Sequence, residues 1–122
     1  MPTRQFKFTL SDFHPKPRPR VTAKGTYLPP GYRRWKTVAT SELGGQILGY
    51  GPEYFPISQA HIHIELRGST QSDPDNAAGA ILDALVAAGV LADDRLRNIP
   101  HLSVTHTQPD GHRKAIVLVY PR

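Results

Sequence analysis

Asp73 and Asp75 stand on either side of one proline, and Asn76 follows directly; further along, Asp93 and Asp94 form a second acidic pair. Neighbouring carboxylates repel one another, and a divalent cation relieves that repulsion. The chain has no cysteine, so disulfides and thiolate ligation are excluded and any metal must bind through oxygen or imidazole. Few, hard oxygen ligands suit Mg²⁺, or Mn²⁺ in its place, better than zinc. An ion of that kind lowers the pKa of a bound water, polarises a phosphoryl oxygen and stabilises the charge of an in-line displacement. The expected chemistry is hydrolysis of a phosphodiester. An Asp-x-Asp at a helix mouth is also an ordinary cap, so the reading needs support from the rest of the chain.

Charge supplies it. Residues 1–36 hold nine Lys/Arg against Asp12 alone, a net of +8, while the remainder holds six bases against nine acids, a net of −3, within an overall +5. A basic leader beside an acidic cluster is what a metal site acting on a polyanion would need. The leader cations with the best spacing for phosphate are Lys16, Arg18, Arg20, Lys24, Arg33, Arg34 and Lys36. Three of them alternate with prolines in Pro15-Lys16-Pro17-Arg18-Pro19-Arg20, where proline fixes φ and keeps the segment extended. A stiff extended segment can follow a phosphate backbone at low ordering cost. Its plain alternative is a solvated linker. Tyr32-Arg33-Arg34-Trp35-Lys36 interleaves rings with cations and could stack on unpaired bases. The sober reading there is a helix start with Trp35 as buried anchor.

The elements that position these residues are legible in outline. Gln5 to Leu10 alternates apolar and polar, as a half-buried strand does. Lys24-Gly25-Thr26-Tyr27 reads as a turn, and a weak helix starts near Tyr32, interrupted at Gly44-Gly45. His61 to Leu66 alternates again, with His61, His63 and Glu65 on an edge or solvent-facing surface. That His-x-His-x-Glu face is a weak zinc candidate, with His101, His106 and His112 as distant companions. After Asp73 as N-cap and Pro74 at the first helical position, Ala77, Ala80, Ile81, Ala84, Leu85 and Ala88 recur at three- and four-residue steps, and Gly89 ends the helix. Leu102–Thr107 and Ala115–Tyr120 read as strands, and Asp110-Gly111 between them predicts a hairpin. The sum is one compact α+β domain over residues 1–122, a small mixed sheet packed with one or two helices, with 1–36 as its DNA-contacting leader. No apolar run is long enough to span a bilayer and no signal-peptide core is present, so the cytoplasm is the expected compartment.

Asp73-Pro74-Asp75-Asn76, then Leu82-Asp83-Ala84-Leu85, then Gly89 and Asp93-Asp94 resemble, in order and spacing, the signature of RusA-type Holliday junction resolvases. The leader from Pro15 to Arg20, with Lys24-Gly25-Thr26-Tyr27, resembles the basic leader of that family. The resemblance runs from about Phe6 to Tyr120. It implies a Mg²⁺-dependent homodimeric endonuclease that nicks four-way DNA junctions symmetrically. Carried over by position, Asp73, Asp75 and Asp94 become the metal-binding catalytic carboxylates, with Asn76, Asp83 and Asp93 in support. One position departs. The family commonly has a lysine three residues after the asparagine, and here that residue is Gly79. A non-catalytic or weakened branched-DNA-binding module is therefore the alternative, and Arg67, Arg95 and Arg97 are the candidates to replace the cation.

The spacing raises a geometric problem. A straight helix from Asp75 to Ala88 is about 20 Å long, whereas metal ligands converge within a few ångströms. Either the chain folds back tautly after Gly89, or two helices lie antiparallel in a two-fold dimer and Asp94 comes from the second subunit.

Overall fold

The computed structural model describes residues 4–17, 20–22, 25–27, 29–68, 74–107 and 112–122, with main chain only for 20–22 and 25–27. Four strands form the main sheet: β1 (Phe6–Leu10), β4 (Ala60–Arg67), β5 (His101–Thr107) and β6 (Lys114–Pro121). Their order is β1-β6-β4-β5. Strands β1 and β4 both run antiparallel to β6, while β4 and β5 run parallel. A small hairpin, β2 (Arg20–Thr22) with β3 (Gly25–Tyr27), stands apart. Helices α1 (Pro30–Tyr50) and α2 (Pro74–Ala88) pack on each other against one sheet face. The α+β class and the mixed sheet are as expected.

The core follows from the alternation. Phe6, Phe8 and Leu10 of β1 face Val119, Val117 and Ala115 of β6, and the latter face Ile62, Ile64 and Leu66 of β4. All nine are buried. Helix α2 covers this face with Ala77, Ala78, Ala80, Ile81, Ala84 and Leu85. Its four buried alanines carry little bulk, which suits the close packing of α2 on α1. A Schellman closure ends it: Gly89 N–H donates to Val86 O at 3.1 Å and Val90 N–H to Leu85 O at 2.9 Å, with Gly89 at φ +86°.

Four expectations change. Helix α1 is unbroken through Gly44-Gly45 over 21 residues. Tyr32, Trp35, Ala39, Leu43 and Ile47 bury one stripe of it, and that burial outweighs the roughly 1 kcal/mol each glycine costs relative to alanine. The extended leader contains a hairpin, since Gly25–Tyr27 is a strand rather than a turn. The β5–β6 hairpin does not exist: β4 lies between those strands, and β5 is paired to β4 in parallel through α2. A parallel pair needs a crossover, and α2 is that crossover. Finally, β4 is an interior strand, not an edge.

Candidate functional site

Asp75 is exposed in the first turn of α2, after Pro74. Asp73, Arg18 and Lys24 lie outside the described residues, and Arg20 is described by its main chain alone. The leader docks directly on this helix end, because Lys16 N–H donates to Asn76 O at 3.0 Å. The Lys16 side chain then runs along α2. Its Cδ lies 3.6 Å from where a Cβ on Gly79 would stand, and its Nζ reaches Asp83 Oδ2 at 3.1 Å. Tyr32 of α1 donates its hydroxyl to the same carboxylate at 3.2 Å. Burial, followed by the Asp83 charge, pushes the Tyr32 phenol up to about 12. Asp83 thus ties leader, α1 and α2 together.

Arg33 and Arg34 are exposed on α1 beside Tyr32, and with Pro30, Thr37 and Val38 they line a shallow cavity of about 530 Å³. Lys36 is half-exposed on the next turn. Tyr32 and Trp35 are buried, and the Trp35 indole N–H donates to Asp12 O at 3.0 Å. Neither ring is open to a base, so the stacking idea fails for this pair. The cations between them remain at the surface.

The second acidic pair sits at the other end of α2. Ile57 N–H donates to Val90 O at 2.9 Å and Ala92 N–H to Ile57 O at 3.0 Å, with Ile57 and Leu91 bridged in parallel. These bonds pin the chain after Gly89 just ahead of the first residue of β4. Asp93 accepts from Asp94 N–H at 2.8 Å and pairs with Arg95 Nε at 3.1 Å. Asp94 is exposed, and neither it nor Asp75 has a salt-bridge partner among the described residues. The chain therefore does not fold back: Asp75 and Asp94 are held apart by the length of α2, about 20 Å.

The histidine face stands on the sheet surface opposite the helices. His61 Nε2 is 2.7 Å from Arg122 Nη1, and burial, Arg122 and His101 hold its pKa below the usual range. His63 is bonded to Ser103 Oγ at 2.6 Å, and Glu65 pairs with Arg67 at 3.3 Å. A guanidinium against His61 opposes a cation there, which removes the zinc reading of this face. Arg67 is occupied with Glu65 and Arg95 with Asp93. Lys16, not one of the three arginines, is the cation over Gly79; sequence spacing gives no sign of a contact spanning the leader and α2.

Among the described residues no three His, Cys, Asp or Glu gather at metal-binding distance. The donor chemistry nonetheless fits a hard cation. Both ends of α2 present exposed carboxylates, Asp75 at one and Asp94 at the other, but among the described residues neither end gathers enough of them to hold a metal by itself.

No helix among the described residues is long and apolar enough to cross a membrane. The family model described as endodeoxyribonuclease RusA matches residues 12–113, from the leader through β5. No curated protein sequence matches the chain.

Proposed function

The chain belongs to the RusA endodeoxyribonuclease family, and from that premise we propose that it is a Mg²⁺-dependent, structure-selective nuclease that resolves four-way (Holliday) junctions in DNA recombination and repair. Residues 1–122 act as one nuclease domain in the cytoplasm, with 1–36 as its DNA-contacting leader. Asp73 and Asp75 of one subunit and Asp94 of the other would hold the metal. Bound there, Mg²⁺, or Mn²⁺ in its place, would supply Lewis-acid polarisation of the scissile phosphate and a more acidic water.

The protein's own residues do the rest. Asp75 stands exposed in the first turn of α2, open to a metal ion. Asn76 fixes the leader on the helix mouth through its main-chain carbonyl. Lys16 crosses Gly79 with its ammonium over the same helix face, so it takes the role the family gives to a lysine at that position. Such a cation holds a phosphate or offsets charge in the transition state. Arg18, Arg20, Lys24, Arg33, Arg34 and Lys36 bind backbone phosphates, which sets position and salt dependence rather than sequence choice. Asp83 and Asp93 are supporting residues, each engaged with a neighbouring cation.

The observation that carries the shared site is the pinning of residues 90–92 against Ile57, which fixes Asp94 away from Asp75 of its own chain. A two-fold dimer would supply the missing half and match the symmetry of a junction cut at two related points. The experiment mixes Asp75→Asn and Asp94→Asn chains, each inactive alone, on a synthetic four-way junction with Mg²⁺. Shared sites regain one intact set in the mixed dimer, and cleavage returns. Continued inactivity of a mixture proven to contain mixed dimers would refute sharing.

A further inference from the structure

Leader residues 12–16 lie between three elements, and each holds them differently. Helix α1 takes two points: the Trp35 indole N–H donates to Asp12 O at 3.0 Å, and the His14 ring stands edge-on to Tyr32 with centroids 5.9 Å apart. Helix α2 takes one, the 3.0 Å bond from Lys16 N–H to Asn76 O. The third element is the start of β6, and it acts through one side chain, Arg113.

Arg113 grips the leader at three places. Its Nη2 donates to Phe13 O, its Nε lies 3.0 Å from Asp12 Oδ1, and its Cζ sits 4.7 Å from the centroid of the Phe13 ring. The same Asp12 oxygen accepts from Phe13 N–H at 2.8 Å, so a charged pair closes around the main chain of one buried residue. The mount of Arg113 is itself packed tightly. A Cβ on Gly68, the residue after β4, would meet His112 O at 2.7 Å and Arg113 Cα at 2.9 Å, and Gly68 takes φ +102°, a conformation that suits glycine. His106 Nε2 lies 2.7 Å from Gly68 O, which ties β5 to the same corner.

Two main-chain bonds thus bracket the stretch from Phe13 to Lys16, one to Arg113 and one to Asn76. Between them stand His14 and Pro15, and proline fixes φ. Three residues reach about 10 Å at most, so a displaced Phe13 carries Lys16 with it. The Lys16–Asp83 pair is half-exposed on the lysine side, and pairs of that kind are weak. It does not by itself keep the ammonium over Gly79.

We propose that Arg113 is a positioning residue for junction cleavage. It acts through the leader, holding Phe13 and Asp12 so that the Lys16 ammonium stays over Gly79. The proposal rests on the role given to Lys16 above. A carbonyl, a carboxylate and a ring are met at once by a planar guanidinium, which the ammonium of a lysine cannot match.

Lys16 lies between two prolines, so its amide is the one main-chain N–H from Pro15 to Pro17 and reports on the leader by hydrogen exchange. Arg113→Met is expected to speed exchange at Lys16 about tenfold, with Ile81 and Leu85 in the core of α2 unchanged. Cleavage of a four-way junction in Mg²⁺ is expected to fall about fivefold in kcat at constant KM. Arg113→Lys, which keeps the charge and one of the three contacts, is expected to recover part of both. In a Lys16→Met background, Arg113→Met is expected to cost nothing further, whereas a merely structural residue would add its own loss. Unchanged exchange at Lys16, equal loosening at Ile81 and Leu85, or additive losses in the double variant would each overturn the proposal. So would a raised KM with a weaker salt dependence, the mark of a direct phosphate contact. These failures leave the nuclease reading intact. A wild type that binds the junction without cutting it would defeat that reading, and a Lys16→Met chain that cuts normally would defeat the role of Lys16; either overturns the proposal from its premise.

Discussion

The two ends of α2 carry the same kind of group and treat it in opposite ways. At the N-terminal end the leader is bonded to Asn76, Lys16 lies over Gly79, and Asp83 is held by both Lys16 and Tyr32. At the C-terminal end Asp93 is satisfied within its own turn, and Asp94 projects into solvent. One end is an assembled platform with a cation in place. The other is a single carboxylate on a rigid mount. An exposed carboxylate beside a cation at one end of α2, and a second exposed carboxylate about 20 Å away past the other end, is the arrangement that the proposed site between two molecules would need.

The largest expected effects test whether both ends serve one site. Loss of even an outer-shell partner lowers metal affinity or activity by roughly 10–100-fold. Asp75→Asn and Asp94→Asn are each expected to lower junction cleavage by about 100-fold or more, with junction binding retained in a gel-shift measurement. Equal nicking by wild type and Asp75→Asn would sink the mechanism. If Asp94→Asn alone cuts normally, the C-terminal end is a spectator and the comparison collapses.

Lys16→Met comes next. The substitution keeps the stem over Gly79 and removes the charge. Cleavage is expected to fall about tenfold, the scale of one transition-state contact of roughly 1.4 kcal/mol, while the thermal midpoint barely moves because Lys16 is half-exposed. Asp83→Asn is the companion. It removes the ion pair but leaves the ammonium, so it should cut far better than Lys16→Met. Equal loss in both would make Lys16 a structural tie rather than part of the site.

Gly79→Ala is smaller and opposite in sign. A Cβ there meets Lys16 Cδ at 3.6 Å, an ordinary contact, and alanine is the better helix former by roughly 0.8–1 kcal/mol. The variant is expected to be more stable by about 0.5–1 kcal/mol in denaturant titration, with cleavage unchanged. Destabilisation would mean that the lysine crosses the helix too closely to tolerate a methyl group.

Sequence made one end of this comparison far more legible than the other. Helix α2 was plain, because its apolar stripe, its proline and its terminal glycine agree. The alternation of β1 and β4 was equally direct, since each buries one face. What stayed hidden was everything set by tertiary pairing. Asp110-Gly111 is a local hairpin signal, yet β5 pairs with β4, because the crossover through α2 delivers it there. Glu42, Gln46 and Tyr50 look like solvent-facing side chains of a helix, and only the adjacent strand, whose main chain they bond, gives their spacing a purpose. Gly79 reads as a missing cation, and the side chain that crosses it belongs to Lys16, a proline-flanked residue far away in the chain. The length of α2 poses the question of how Asp75 and Asp94 could meet, and the bonds between residues 90–92 and Ile57 remove the fold-back answer.

The finest test concerns the clasp that makes the N-terminal end rigid. Tyr32 is buried and donates to Asp83. At neutral pH, Tyr32→Phe leaves Asp83 its Lys16 partner, so the expected loss of stability is small, about 0.5 kcal/mol. The alkaline limb is more diagnostic. In the unfolded chain a tyrosine ionises near 10, whereas burial and then the Asp83 charge push Tyr32 up to about 12 in the folded one. The folded state thus favours the neutral phenol. Its contribution is complete below about 10 and is lost as pH rises through about 12. Absorbance titration should show one of the five tyrosines ionising late, and Tyr32→Phe should remove that late step and flatten the fall in stability over the same window. A wild-type titration in which all tyrosines ionise together near 10 would show that the clasp is open in solution, and the contrast between the two ends of α2 would lose its rigid half.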